Sequence, residues 1–198
     1  MDDTYLTLAG DSEGIYREKG SKFLAFAYRV KDEDEIKEKL AHLKRKHHDA
    51  RHHCFAYILG AKKEEFRAFD DGEPPHTAGS PILGQIRSND LTNVLIVVVR
   101  YFGGTKLGKS GLIAAYKTAA ADAISANSII SEAQMLPMAL RFEFRDMGEV
   151  MRMIQDDGIK LVQQHFENSC LIKLEVREGI IEELKNRLSQ IPFVSIED

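Results

Sequence analysis

The octet Gly103-Gly104-Thr105-Lys106-Leu107-Gly108-Lys109-Ser110 satisfies the pattern G-x-x-x-x-G-K-[ST], and an apolar run over residues 94–102 precedes it. In a nucleotide-hydrolysing loop of this pattern, backbone N–H groups cradle phosphates, the lysine reaches them and the hydroxyl residue binds Mg²⁺. That chemistry also needs an aspartate at the end of another apolar strand of a parallel sheet. The only downstream candidate is Asp146, whose Asp146-x-x-Glu149 spacing reads as a capping box that opens a helix in a different part of the chain. The octet therefore matches the pattern without its partner. It remains a glycine turn, in which a Gly-Gly pair permits positive φ and close backbone approach, and the N–H groups of the next helix attract anions. An anion-binding turn and a purely structural turn are both compatible with these residues.

The charges around the octet favour a binding role. Residues 97–118 hold Arg100, Lys106, Lys109 and Lys117 and no acidic residue, within a chain of formal net charge −4. Tyr101 and Phe102 are interleaved with them. Cations neutralise phosphates while an exposed aromatic ring stacks on a base, the usual division of labour on single-stranded or looped RNA. Arg100, Tyr101, Gly103, Gly104, Lys106, Gly108, Lys109 and Ser110 are accordingly the candidate nucleic-acid or anion site. The alternative leaves the lysines as solvated charges above core aromatics.

A second set of candidates comprises His52, Asp70, Asp71, Glu73 and Thr77. The acidic residues lie in the string DDGEPPHTAGSP, which reads either as a carboxylate cluster for acid–base or Mg²⁺ chemistry or as a turn held by Asx hydrogen bonds. Thr77-Ala78-Gly79-Ser80 either caps the next helix or offers polar groups to a ligand. His47, His48, His52, His53 and Cys54 match no standard zinc spacing, and adjacent histidines on a strand face opposite ways. Ser80 and Ser110 lack the strained elbow of a nucleophile. No metal and no cofactor is implied.

These residues are carried by an ordinary globular chain. It has 198 residues, 43% of them hydrophobic, enough for one sizeable core or two small ones. No apolar run approaches a membrane span, and the acidic start MDDTYL lacks the layout of a signal peptide, so a cytoplasmic protein without membrane contact is expected. Cys54 and Cys170 lie in strand-like alternations and read as reduced packing residues.

The periodicities predict strands near 4–8, 13–18, 22–30, 53–59, 64–69 and 93–101, and helices near 33–47, 82–88 and 110–126. From Leu136 the order becomes β-α-β-β-α-β, the ferredoxin-like arrangement, with a seam in residues 131–136. The expected division is 1–133 and 134–198, an α/β unit followed by an α+β unit.

Three ordered segments, ARHHCFAYILG (residues 50–60), DDGEPPHTAGSPIL (70–83) and VVVRYFGGTKLGKSGLIAAY (97–116), resemble the signature of the IMPACT/YigZ family. The resemblance spans roughly residues 15–130. It implies a first domain of the ribosomal-protein and elongation-factor type of α/β module and a ferredoxin-like second domain, with a role near RNA, the ribosome or a translation factor. It places His52 at the family's histidine position. Pro75-His76 and Lys109-Ser110 depart from the family pattern, and the latter pair completes the nucleotide-loop string. The function expected is a non-catalytic binder of RNA, the ribosome or a translation factor, without DNA sequence specificity. The alternatives are a small-molecule hydrolase or phosphate-ester-binding protein built on the glycine turn, and a protein–protein adaptor.

Overall fold

The computed structural model describes residues 3–197 and shows a mixed α/β protein whose chain divides into two compact units, Tyr5–Glu132 and a second that joins residues 3–4 to 133–197. Asp3 and Thr4 thus group with the second unit, where a division at residue 133 assigns them to the first.

The first unit is built on a five-stranded antiparallel sheet. Its strands are β2 (Ser12–Glu18), β3 (Ser21–Arg29), β4 (His52–Leu59), β5 (Glu65–Phe69) and β6 (Val94–Tyr101), in the order β2-β3-β6-β4-β5. A separate ribbon pairs β1 (Thr4–Leu8) with β7 (Ile129–Ala133). β7 escapes the sequence analysis because the short segment IISEA has no clear alternation of its own.

The run VLIVVV in β6 is apolar at every position because helices cover both faces of the central strand. Val94, Ile96 and Val98 face α2 (Gly79–Ser88) and α3 (Gly108–Ser125), while Leu95, Val97 and Val99 join the core under α1 (Glu33–Lys46). Helix α1 is capped by Asp32, whose carboxylate accepts from the N–H groups of Asp34 and Glu35, and its last turn carries Lys44, Arg45 and Lys46. Helix α3 lies close to the sheet because its inner face is small, with Ala115, Ala119, Ala120 and Ala123 fully buried. A Cβ at Gly14 of β2 would come within 2.3 Å of the Ala123 backbone nitrogen, so only glycine allows that approach.

The second unit is a four-stranded antiparallel sheet, β11-β8-β10-β9, formed by β8 (Met135–Phe142), β9 (Lys160–Phe166), β10 (Cys170–Arg177) and β11 (Ser195–Glu197). Helices α4 (Met147–Asp156) and α5 (Glu178–Leu188) supply Val150, Ile154, Leu184 and Leu188 to a core with Leu140, Phe142 and Ile172. The capping box at Asp146 does not form. The residue ends a 3-10 turn over Phe144–Asp146, in helical φ/ψ, and its side chain makes no capping bond. Asp3 is fastened here, its carboxylate accepting from Arg177 Nε and Nη2 and from the Gly179 N–H. The Arg177 hydrogen bonds hold its pKa at about 2. Among the described residues no helix is long and apolar enough to cross a membrane.

Candidate functional site

The octet, the start of β4 and the loop after β5 enclose a cleft of about 500 Å³ in the first unit. Arg51, His52, Glu73, Pro74, Arg100, Phe102 and the segment Lys106 to Lys109 line it, with Leu112 below. Arg51, Lys106 and Lys109 are exposed, and none has an acidic partner among the described residues. The lining carboxylate, Glu73, is already paired with Arg100, so the cleft keeps a net positive charge in an acidic chain.

The glycines of the octet serve three different ends. A Cβ at Gly103 would come within 1.9 Å of the Gly20 carbonyl carbon and 2.2 Å of Ser21 N, so this glycine permits two backbones to touch. Gly104 has nothing nearby but a φ of 90°, and Gly108 opens α3 with a φ of 71°. Ser21 Oγ accepts from the Gly103 N–H at 3.1 Å and pins the turn to the start of β3. The first residue of α3 follows Leu107, which makes no side-chain cap, so the opening N–H groups of this helix are left for solvent or a ligand.

Beneath the cleft lies a buried polar network. Arg100 Nη1 donates to Glu73 Oε1 at 2.6 Å, and the Tyr116 hydroxyl donates to the same oxygen at 2.7 Å. Cys54 Sγ is 3.3 Å from the Tyr116 hydroxyl and 3.0 Å from the Asp70 carbonyl oxygen. Burial pushes the Cys54 thiol and the Tyr116 hydroxyl far above their ordinary values, so both stay protonated. The Arg100 guanidinium also lies over the Phe23 and Phe102 rings, and its Nε has no acceptor among the described residues. Arg100 is therefore a buried, paired cation in the cleft wall, not the rim cation that its place at the end of an apolar strand suggests.

The loop after β5 is a scaffold. Asp70 Oδ1 accepts from the N–H groups of Ala78 and Gly79 at 3.0 and 2.8 Å, and Oδ2 accepts from His76 N at 2.8 Å. Asp70 thus caps α2 from nine residues upstream, and the helix begins at Gly79, before the expected residue 82. Asp71 Oδ2 accepts from His53 N, and the Asp71 carbonyl oxygen is 2.8 Å from His52 Nδ1. That bond makes Nδ1 the donor in neutral His52 and leaves Nε2 an acceptor. Thr77 is buried, with its hydroxyl donating to the Pro74 carbonyl oxygen, so it neither caps α2 by its side chain nor lines the cleft.

Of the sequence candidates, His52, Glu73, Arg100, Lys106, Gly108 and Lys109 meet at the cleft. Gly103 and Gly104 shape its turn, and Asp70 and Asp71 hold its loop. Ser110 is exposed in the first turn of α3 and does not line the cleft. Tyr101 belongs elsewhere, because adjacent residues of a strand face opposite ways. Its hydroxyl donates to Asp49 Oδ1 at 3.0 Å and lies 2.9 Å from His47 Nδ1, on the α1 side of the sheet. The exposed aromatic on the cleft is Phe102, half exposed. Arg51, Pro74, Leu107, Leu112 and the Tyr116–Glu73 bond were not anticipated as parts of the site. A lone arginine before a strand and a tyrosine in a helix carry no local pattern. Among the described residues no group of three or more His, Cys, Asp and Glu side chains could hold a metal ion.

The resemblance to nucleotide-hydrolysing loops stops at the octet. Both neighbours of β6 run antiparallel to it, so β3 and β4 bring their first residues, Ser21 and His52, to the edge where such a site needs strand ends bearing an aspartate.

The fold and cleft define a two-unit α/β protein with a basic, aromatic-edged cleft at the start of a helix. The Impact N-terminal domain family model matches residues 19–124, and the chain belongs to the IMPACT family. It is 32% identical over 177 residues to the IMPACT family member YvyE of Bacillus subtilis (strain 168), across 88% of this chain and 81% of that protein. It is 36% identical over 159 residues to an IMPACT family member of Thermus thermophilus, across 80% and 86% of the two chains. A crystal structure of a hypothetical protein shares the fold, with a TM-score of 0.78 at 24% identity over 99% of this chain and 97% of that one.

Proposed function

We propose that the protein binds single-stranded or looped RNA through the α3 cleft, in the setting of the ribosome or a translation factor, without catalysing a reaction. The observation that carries this reading is the convergence of Arg51, Lys106 and Lys109, none with an acidic partner among the described residues, on the uncapped start of α3 beside the exposed Phe102 ring. Phosphate oxygens suit the cations and the helix N–H groups, and a base suits the ring. The site lacks a nucleophile with an adjacent base, which weighs against a hydrolase.

In the same reading, the first unit is a ribosomal-protein or elongation-factor type of module. The second is ferredoxin-like, an assignment supported by its strand order β11-β8-β10-β9 and two crossover helices.

The test is the salt dependence of binding to a short single-stranded RNA. Each phosphate contact contributes roughly −0.7 to the slope of log K against log salt, so Lys106→Ala with Lys109→Ala flattens the slope by about 1.4. A folded double variant with unchanged affinity and slope would remove the cleft from consideration as the RNA site.

A further inference from the structure

Cations, helix N–H groups and an aromatic edge account for phosphate and base, yet two groups in the cleft are hydrogen-bond acceptors that neither would satisfy. Glu73, 9% exposed, receives Arg100 and Tyr116 on Oε1 alone, and Oε2 has no donor among the described residues. His52, with Nδ1 committed to the Asp71 carbonyl oxygen, offers Nε2 as a second acceptor on the same cleft. A phosphate oxygen is repelled by one and ignored by the other. A vicinal diol is suited to both, because each hydroxyl carries a proton to donate.

Resting on the RNA reading above, we propose that the cleft seats one ribonucleoside phosphate with a free diol, the 3′-terminal nucleotide of an RNA or a free ribonucleotide, with its phosphate at the start of α3 between Lys106 and Lys109, its base against Phe102, its 2′-hydroxyl donating to His52 Nε2 and its 3′-hydroxyl to Glu73 Oε2. Arg100 and Tyr116 are positioning residues in this arrangement. By occupying Oε1 they fix the carboxylate and leave its other oxygen as the acceptor. A cleft of about 500 Å³ has room for one nucleotide and not for a folded helix. The 2′-hydroxyl is the group that separates RNA from DNA, so His52 Nε2 confers the preference for ribose, while Glu73 Oε2 favours a free 3′ end.

The experiment compares a labelled short oligouridylate with its 2′-deoxy counterpart on the full chain, with free uridine and deoxyuridine monophosphates as competitors. The expected result is RNA binding about ten-fold tighter than DNA, the scale of one lost hydrogen bond to a covered acceptor. His52→Ala brings the ratio close to one, while Lys106→Ala with Lys109→Ala weakens both ligands and preserves the ratio. If the monophosphate competes with the same ribose preference, a free ribonucleotide is a sufficient occupant; if only the oligomer binds, the source is RNA. Both outcomes support the seat. Equal binding of RNA and DNA by the unaltered protein, still dependent on the lysines, overturns the ribose seat and leaves the RNA reading standing. A ribose preference that survives His52→Ala overturns it as well. Absence of lysine-dependent binding to any of these probes overturns both.

Discussion

Arg100 Nη1 and Glu73 Oε1 meet at 2.6 Å directly under the cleft, with side chains only 6% and 4% exposed. The pair joins the central strand of the sheet to the loop after β5, and Tyr116 ties α3 to the same oxygen. Strand, loop and helix are thus joined through one carboxylate oxygen beneath the cleft.

Breaking the pair from one side leaves a charge covered and unpaired. Arg100→Ala and Glu73→Ala should each lower unfolding free energy by about 3–5 kcal/mol, measured by urea denaturation. Replacing both residues with methionine should cost less than either single change, because no stranded charge remains. A loss below about 1 kcal/mol for both single variants would show that the junction is not structural.

Asp70 satisfies three N–H groups at once, those of His76, Ala78 and Gly79. Asp70→Ala should therefore cost about 2 kcal/mol, the upper range for a lost helix cap, and should speed amide exchange in the first turn of α2. Thr77→Ala removes one local hydroxyl bond to Pro74 and should cost less. The reverse ranking would assign the start of α2 to Thr77.

The strands of the main sheet, the order of its helices and the β-α-β-β-α-β succession of the second unit followed from periodicity, since an apolar strand such as VLIVVV and an alanine-faced helix have few other places in a fold. The partnerships within the cleft were less legible. Asp70 caps a helix nine residues away, Tyr116 reaches Glu73 across 43 positions, and Arg51 contributes only because β4 starts beside α3. Nothing in the local spacing of these residues encodes a contact made by tertiary folding. Tyr101 shows the converse, since strand alternation alone separates it from Arg100 and places it with His47.

Acid should destabilise the first unit through two histidines. Burial lowers the pKa of His53 and of His47 below 6.5, and each has a buried Nε2 without a hydrogen-bond partner among the described residues. Asp71 and a hydrogen bond with the His47 backbone pull His53 upward, while the charges of Lys44 and the His47 ring push it down; Asp49 and Glu13 act on His47 against Lys46 and Lys22. Above 6.5 both folded and unfolded chains hold these rings neutral. Below it the unfolded chain takes up protons that the folded chain resists, so stability falls until the lowered folded values are passed. The urea midpoint should drop as the pH falls through about 6.5, and His53→Leu should flatten the decline. An unchanged pH profile in that variant would exonerate His53.

The last prediction concerns the octet itself. Gly108, Lys109 and Ser110 occupy the first turn of α3, where the last three residues of a nucleotide-hydrolysing loop stand, so sequence and local geometry alone would permit ATP or GTP turnover. The sheet does not support it. Hydrolysis in such sites depends on Mg²⁺ held by the loop hydroxyl and by an aspartate from the end of a strand at the same edge. Here β3 and β4 run against β6 and deliver Ser21 and His52 to that edge, and the carboxylate that lines the cleft, Glu73, has Oε1 committed to Arg100 and Tyr116. The protein should show no Mg²⁺-dependent phosphate release from ATP or GTP above a no-protein control, while still binding phosphate-bearing ligands in a manner sensitive to Lys106→Ala and Lys109→Ala. Turnover that requires Mg²⁺ and disappears in Lys109→Ala would mean that the octet is a working nucleotide loop in an antiparallel setting, and the non-catalytic reading of the cleft would fall with it.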